Sequence, residues 1–205
     1  MEYVIFLIIV FFFSSLNFSN IYLNKIQKGS SQSWTTHIGS SHIWKYHSKI
    51  AGVIIFFGDS ILKGLLPIFI AKFIFDFSQL ESINKYYLIP ILFTQIIGNN
   101  WSIFMRFKGG RGMAIIIGSL LGINTIMAMI LYSLYIVIYL KVKDGGPAWI
   151  ISIAISSIIS LFFSTTLLYC YLICLFLVIA KRITGNSISN NYKIIVNRII
   201  FDRDI

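Results

Sequence analysis

The apolar positions of this chain fall in long runs, separated by short polar clusters that hold most of the charge. A helix needs about 20 apolar residues to cross the hydrocarbon core of a bilayer. Runs at roughly 3–23, 51–75, 84–99, 147–163 and 165–180 approach that length and predict spanning helices, some of them short. The run at 112–140 does not fit a single span. As one helix it would extend about 43 Å, against a core of about 30 Å. It is also short for two spans.

Composition strengthens the membrane reading. Of 205 residues 57% are hydrophobic and only 12% charged, too little charge to cover a soluble domain of this size. One all-α, polytopic transmembrane helix bundle over 1–205 uses the whole length. Lys and Arg outnumber Asp and Glu by 17 to 7, giving a net charge of +10. A basic excess can signify nucleic acid, but here it lies in clusters between apolar runs, the pattern of loops facing the cytoplasm and anionic lipid. No nucleic-acid partner is expected. The first 13 residues carry Glu2 and no Lys or Arg, and no small-residue cleavage site follows. They predict a retained first span rather than a signal peptide.

Loop charge also sets the number of spans. Segment 24–50 carries Lys25, Lys28, Lys45 and Lys49; segment 100–111 carries Arg106, Lys108 and Arg111; the tail carries Lys181, Arg182, Lys193, Arg198 and Arg203. All three should be cytoplasmic. The connection at 76–86 sets Asp76 and Glu81 against Lys85 and suits the other side. An even number of crossings must then separate segment 100–111 from the tail. That requires a turn inside 112–140, placed near Gly122-Ile123-Asn124 after a short first arm. About seven spans result, with the N-terminus outside and the C-terminus inside; a re-entrant first arm is the rival arrangement.

Few polar residues could carry chemistry. Phe107-Lys108-Gly109-Gly110-Arg111-Gly112 opens an apolar helix. Three glycines let the backbone approach a ligand closely, and a helix start presents unpaired N–H groups and a positive dipole end. With Lys108 and Arg111 this makes a phosphate site at the membrane surface. It lacks the glycine spacing and Lys-Ser/Thr pair of a Walker A loop. The same residues also read as a turn with ordinary positive-inside charge. Asp59 and Lys63 lie in the second apolar run at i, i+4, where they can pair or serve a function. Lys72 is expected to snorkel to the outer surface. His37, His42 and His47 share one loop, but no Cys or acid is nearby to complete a metal site, and no metal is expected. Cys170 and Cys174, at i, i+4 in the last run, read as apolar packing residues beyond disulfide reach.

At the glycine loop a family resemblance emerges. Gly98-Asn99-Asn100-Trp101-Ser102-Ile103-Phe104-Met105-Arg106-Phe107-Lys108-Gly109-Gly110-Arg111-Gly112-Met113-Ala114 resembles the second motif of the PlsY family, with Asn99 in place of the usual His and Ile115 in place of the usual Thr. Asp59-Ser60-Ile61-Leu62-Lys63-Gly64-Leu65-Leu66-Pro67 resembles the family's D-x-x-K-G-x-x-P run, with one extra residue between Asp and Lys. Extending from Ala51-Gly52 places the first motif on residues 34–45. Thr35 then stands for its Ser, His37 and His42 for its two Asn and Lys45 for its Arg, with Gly39 and Ser41 retained. Of the third motif, H-R-x-N, only Asn186 is a remnant.

PlsY proteins are bacterial acyltransferases. The resemblance implies transfer of an acyl group from acyl phosphate to the 1-hydroxyl of glycerol 3-phosphate, giving lysophosphatidic acid for phospholipid synthesis, without a cofactor. It implies a multi-pass protein of the bacterial inner (plasma) membrane, in contact with membrane lipids. Thr35, Lys45 and Lys108 become the catalytic candidates. Substrate-binding candidates are His37, Gly39, Ser41, His42, Lys63, Gly109, Gly110, Arg111, Gly112 and Asn186. Lys in place of Arg at a bidentate phosphate site and the missing third motif support an alternative: a non-catalytic membrane paralogue that binds a lipid or phosphorylated ligand. A transporter would gain from internal repeats, and none is visible.

Overall fold

The structure is a computed structural model, and it describes residues 1–26, 39–75, 84–186 and 191–202. Among these residues the regular structure is helical. The first apolar run forms α1 (Glu2–Ser15) and, after a break at Leu16-Asn17, α2 (Phe18–Ile26). A short α3 (Ser40–Tyr46) leads into the second run, α4 (Lys49–Phe57) and α5 (Leu66–Ile74), joined without interruption by π-helical turns over Gly58–Leu65. Then come α6 (Leu88–Asn100), α7 (Met113–Ile123), α8 (Thr125–Val142), α9 (Gly145–Ser160), α10 (Thr165–Thr184) and a tail helix α11 (Tyr192–Phe201).

Counting α1–α2 and α4–α5 as one unit each gives seven apolar units among the described residues, as loop charge predicts. Glu2–Ile26, Lys49–Ile74, Thr125–Val142 and Thr165–Thr184 are long and apolar enough to cross a bilayer. The long run at 112–140 does break, one residue beyond Ile123. Asn124 adopts an extended backbone, and its side chain accepts a hydrogen bond from Met127 N at 2.9 Å, capping α8. Lys72 closes the other side of that break: its Nζ donates to the Gly122 and Ile123 carbonyls at 2.6 and 3.3 Å. It therefore caps the C-terminus of α7, where a cation also meets the negative end of the helix dipole, instead of reaching outward.

The side chains are distributed as a bilayer requires. Phe73 and Phe162 are 90% and 86% exposed, while Ser119, Ser152, Ser156 and Ser160 are fully buried between helices. Lipid tails solvate the first kind; small polar residues let helices approach in the second. Gly64 and Gly118 show how close. A Cβ at Gly64 would lie 2.6 Å from the Ile115 carbonyl oxygen, and one at Gly118 would collide with the Ser60 carbonyl, so α7 packs directly on the π-helical turns. Trp149, Tyr171, Cys170 and Cys174 fill the core among α8, α9 and α10, and both cysteines are free thiols.

The π-helical turns have a sequence cause. One residue more than the resembled D-x-x-K-G spacing must be absorbed within a helix, and π-bulges are how helices absorb such an insertion. Pro67 adds a second disturbance, because it has no N–H for the Lys63 carbonyl. Gln95 repairs it: its buried Nε2 donates to the Lys63 and Gly64 carbonyls at 2.7 and 2.8 Å, and its Oε1 accepts from Ser119 Oγ at 2.8 Å. In a bilayer each freed carbonyl must find such a partner.

The basic segments meet at one end of the bundle. Residues 102–111, the α8–α9 turn and the tail are joined there through Arg111, Gly146, Arg182, Asn186 and Asp202. Tyr3 Oη donates to the Tyr87 carbonyl at the opposite end, where α7 and α5 also finish. In a background without Cys170 and Cys174, cysteines at positions 108, 143 and 193 should react with an impermeant maleimide from one side of the membrane. One at position 162 should react from the other. Labelling of 143 and 162 from the same side would refute seven crossings.

Candidate active site

A cavity of about 160 Å³ opens at the basic end. Its wall comes from the α1–α2 break (Asn17), the start of α3 (Gly39 to His42), the π-helical turns (Asp59), the end of α6 (Asn99), the start of α7 (Gly110 to Ile115) and the tail (Asp202).

The glycine loop is built by main-chain constraints. Ser102 to Lys108 fold into a tight turn, with Phe107 N donating to the Ser102 carbonyl at 2.8 Å and Arg106 and Phe107 both at positive φ, 52° and 61°. The chain then lies against α6: Gly110 N donates to the Asn99 carbonyl at 3.1 Å. Gly112 has φ 76°, a left-handed conformation suited to glycine, and a Cβ there would stand 2.8 Å from Asn100 Oδ1. As N-cap of α7, Gly112 supplies no side-chain acceptor, and the first intrahelical bond is Ile116 N to the Gly112 carbonyl at 2.9 Å. The N–H groups of the first turn therefore lie at the cavity that Met113, Ala114 and Ile115 line. An anion there meets main-chain donors, the positive end of α7 and the Arg111 guanidinium.

The other candidates sort into three groups. Gly39, Ser41, His42, Gly110, Arg111 and Gly112 line the cavity. His42 Nδ1 is buried without a hydrogen-bond partner among the described residues, and burial, with His47 second, lowers the imidazole pKa below its ordinary value. At neutral pH it offers one donor and one acceptor without charge.

A second group stands away from the lining. Lys45 is exposed, its Nζ 5.1 Å from the centre of the Tyr46 ring. Lys108 is exposed at the turn before the glycines. Lys63 is fully buried; it pairs with Asp59 at 2.5 Å, donates to the Leu16 carbonyl and covers the Phe18 ring at 4.1 Å. Asp59 therefore faces the cavity from the π-helical turns, with Lys63 behind it. Gly109 and Asn186 form a clamp: Asn186 accepts from Gly109 N at 3.1 Å and donates to the Gly109 carbonyl at 3.1 Å, while Lys181 Nζ holds Asn186 Oδ1 at 2.9 Å. Asn186 thus shapes the loop rather than lining the cavity.

Thr35 and His37 make up the third group and lie outside the described residues. Sequence reasoning missed Asn17, Asn99 and Asp202 as lining residues. Asn99 had a signal, since it occupies a motif position. Asn17 and Asp202 had none, because each reaches the cavity only through the fold.

Comparison with known proteins agrees with the helical membrane fold. The profile of the family described as glycerol-3-phosphate acyltransferase matches residues 4–190. A glycerol-3-phosphate acyltransferase of Clostridioides difficile is 27% identical over 58% of this chain, and the match spans 57% of that relative's length. The corresponding figures are 29%, 70% and 77% for one of Bacillus thuringiensis, and 26%, 89% and 92% for one of Wolbachia pipientis. The crystal structure of PlsY, an integral membrane glycerol 3-phosphate acyltransferase, in its glycerol 3-phosphate form superposes with a TM-score of 0.74. That match covers 96% of this chain and 99% of the other at 19% identity, and the lysophosphatidic acid form fits equally well. The chain is an integral membrane protein, and it belongs to the glycerol-3-phosphate acyltransferase family.

Proposed function

We propose that this protein transfers a fatty acyl group from acyl phosphate to the 1-hydroxyl of glycerol 3-phosphate. The observation that carries the reading is the anion seat at the start of α7, formed by Gly110, Arg111, Gly112 and the first-turn N–H groups. The hydroxyl oxygen attacks the acyl carbonyl carbon. An ester bond forms, the bond from that carbon to the phosphate oxygen breaks, and inorganic phosphate leaves with the hydroxyl proton. The donor is already activated, so the protein's task is to hold two anions in register and to offset charge as it develops. Arg111 and the first-turn amides of α7 serve that end. His42, Ser41 and Asn99 supply neutral hydrogen bonds, and Thr35 would add a hydroxyl by its motif position. Lys45 and Lys108, near the same end, draw anions in through longer-range attraction.

The basic end faces the cytoplasm of a bacterium across its plasma membrane, where water-soluble glycerol 3-phosphate enters and the acyl chain stays in the lipid. Purified protein should release phosphate from acyl phosphate, with matching lysophosphatidic acid, only when glycerol 3-phosphate is present. It should give no product from acyl-coenzyme A. Phosphate release that ignores glycerol 3-phosphate, or product from the thioester, would sink this assignment.

A further inference from the structure

The tail helix lies beyond the family match, which ends at residue 190, yet it delivers a carboxylate to the cavity wall. Asp202 follows α11 and bridges two arginines. Arg111 Nη1 meets its carboxylate and also donates to its main-chain carbonyl at 2.5 Å. Arg182 Nε sits 3.3 Å from the other carboxylate oxygen. Arg182 is 2% exposed and fastens the same region through the Ile199 carbonyl at 2.7 Å and the Gly146 carbonyl at 2.9 Å. Gly146 leaves room for this, since a Cβ there would come within 3.0 Å of Asp202 Cβ. Asp202 closes α11 with a left-handed φ of 59°, a conformation that Asp tolerates better than most residues and that ends the helix at the cavity.

We propose that Asp202 is a positioning residue, which fixes the Arg111 guanidinium at the cavity so that it receives the phosphate of glycerol 3-phosphate already oriented. A side-chain and a main-chain oxygen of one residue grip one end of the planar fork, and Arg182 immobilises that residue in turn. An arginine held this way loses less freedom on binding its anion than one that swings in water. The tail thereby becomes part of the active site. The inference rests on reading the cavity as a phosphate seat.

The test is steady-state kinetics of Asp202→Asn and Asp202→Glu in the full chain, with melting midpoints for each and calorimetric binding of inorganic phosphate. Asp202→Asn should raise KM for glycerol 3-phosphate at least tenfold and leave kcat within about threefold. Asp202→Glu, which keeps the charge, should recover most of that loss. An unchanged KM in Asp202→Asn, even with an earlier melt, would make the contact a structural tie and overturn the proposal. A lowered KM would overturn it too, showing that the carboxylate competes with substrate for Arg111. Should Asp202→Asn not fold, Arg111→Lys serves instead: it keeps the charge and loses the grip, and the same rise in KM is expected. If wild type binds no inorganic phosphate, the seat itself fails and takes the proposed function with it. If wild type binds phosphate and Asp202→Asn binds it equally well, only this inference fails.

Discussion

Gly109→Ala should reduce kcat/KM at least a hundredfold while the protein still inserts and folds. A Cβ at this position would run into the main-chain carbonyls of Asn99 and Asn100, and neither can yield without unwinding the end of α6. The loop must move instead. Its movement breaks both bonds of the Asn186 clamp and displaces Gly110, Arg111 and the α7 start that depend on it. A displacement of about 1 Å in groups that position a reaction costs on the order of a hundredfold. The effect should reach catalysis more than stability, because the loop lies at the end of the bundle and the helix core does not rest on it. Acyl-transfer kinetics beside a melting midpoint give the comparison. Activity within threefold of wild type would mean that the loop is only a turn.

The second large effect concerns stability. Lys63→Met should destabilise the protein by about 3–5 kcal/mol, the usual cost of leaving one member of a buried ion pair without its partner. Asp59 would lose the ammonium 2.5 Å away, and the Leu16 carbonyl would lose its donor at the α1–α2 break. Removing both charges tests the reasoning. Lys63→Met with Asp59→Leu should recover most of the loss, since replacing a buried pair with apolar side chains is often close to neutral. Denaturant unfolding in detergent micelles reads the wild type and both variants. A double variant no more stable than Lys63→Met would show that the pair's mutual charge is not what matters, and the Leu16 contact would become the leading cause.

Both predictions concern residues that the sequence marked, but for reasons the structure changes. Lys63 stands out in the sequence as a charge within an apolar run, and the family resemblance makes it a substrate-binding candidate. In the π-helical turns Asp59 takes the cavity and Lys63 the interior. Pairing at i, i+4 was readable from spacing; which partner faces the site was not, because that depends on the helix packed alongside. Gly109 drew notice as one of three glycines near cations. Its need for glycine comes from Asn99 and Asn100, ten and nine residues earlier in sequence, at the close of another helix.

The membrane character, the break inside 112–140, the common end of the basic segments and the donors proposed to seat an anion before α7 are all legible in the sequence. Each follows from local physics: the length of an apolar run, the parity of loop charge, and the donors that any helix start exposes. Tertiary structure alone decided how the cavity is walled. Asn17, Asp59, Asn99 and Asp202 come from four separate stretches of chain and converge only because α1 and α6 end where α7 begins, beside the π-helical turns and with the tail folded over them. It also decided that Lys72 caps α7, that Asn186 clamps Gly109, and that Asp202 meets Arg111. Those bonds join residues at least 50 positions apart, and no local pattern encodes a partner at such a distance.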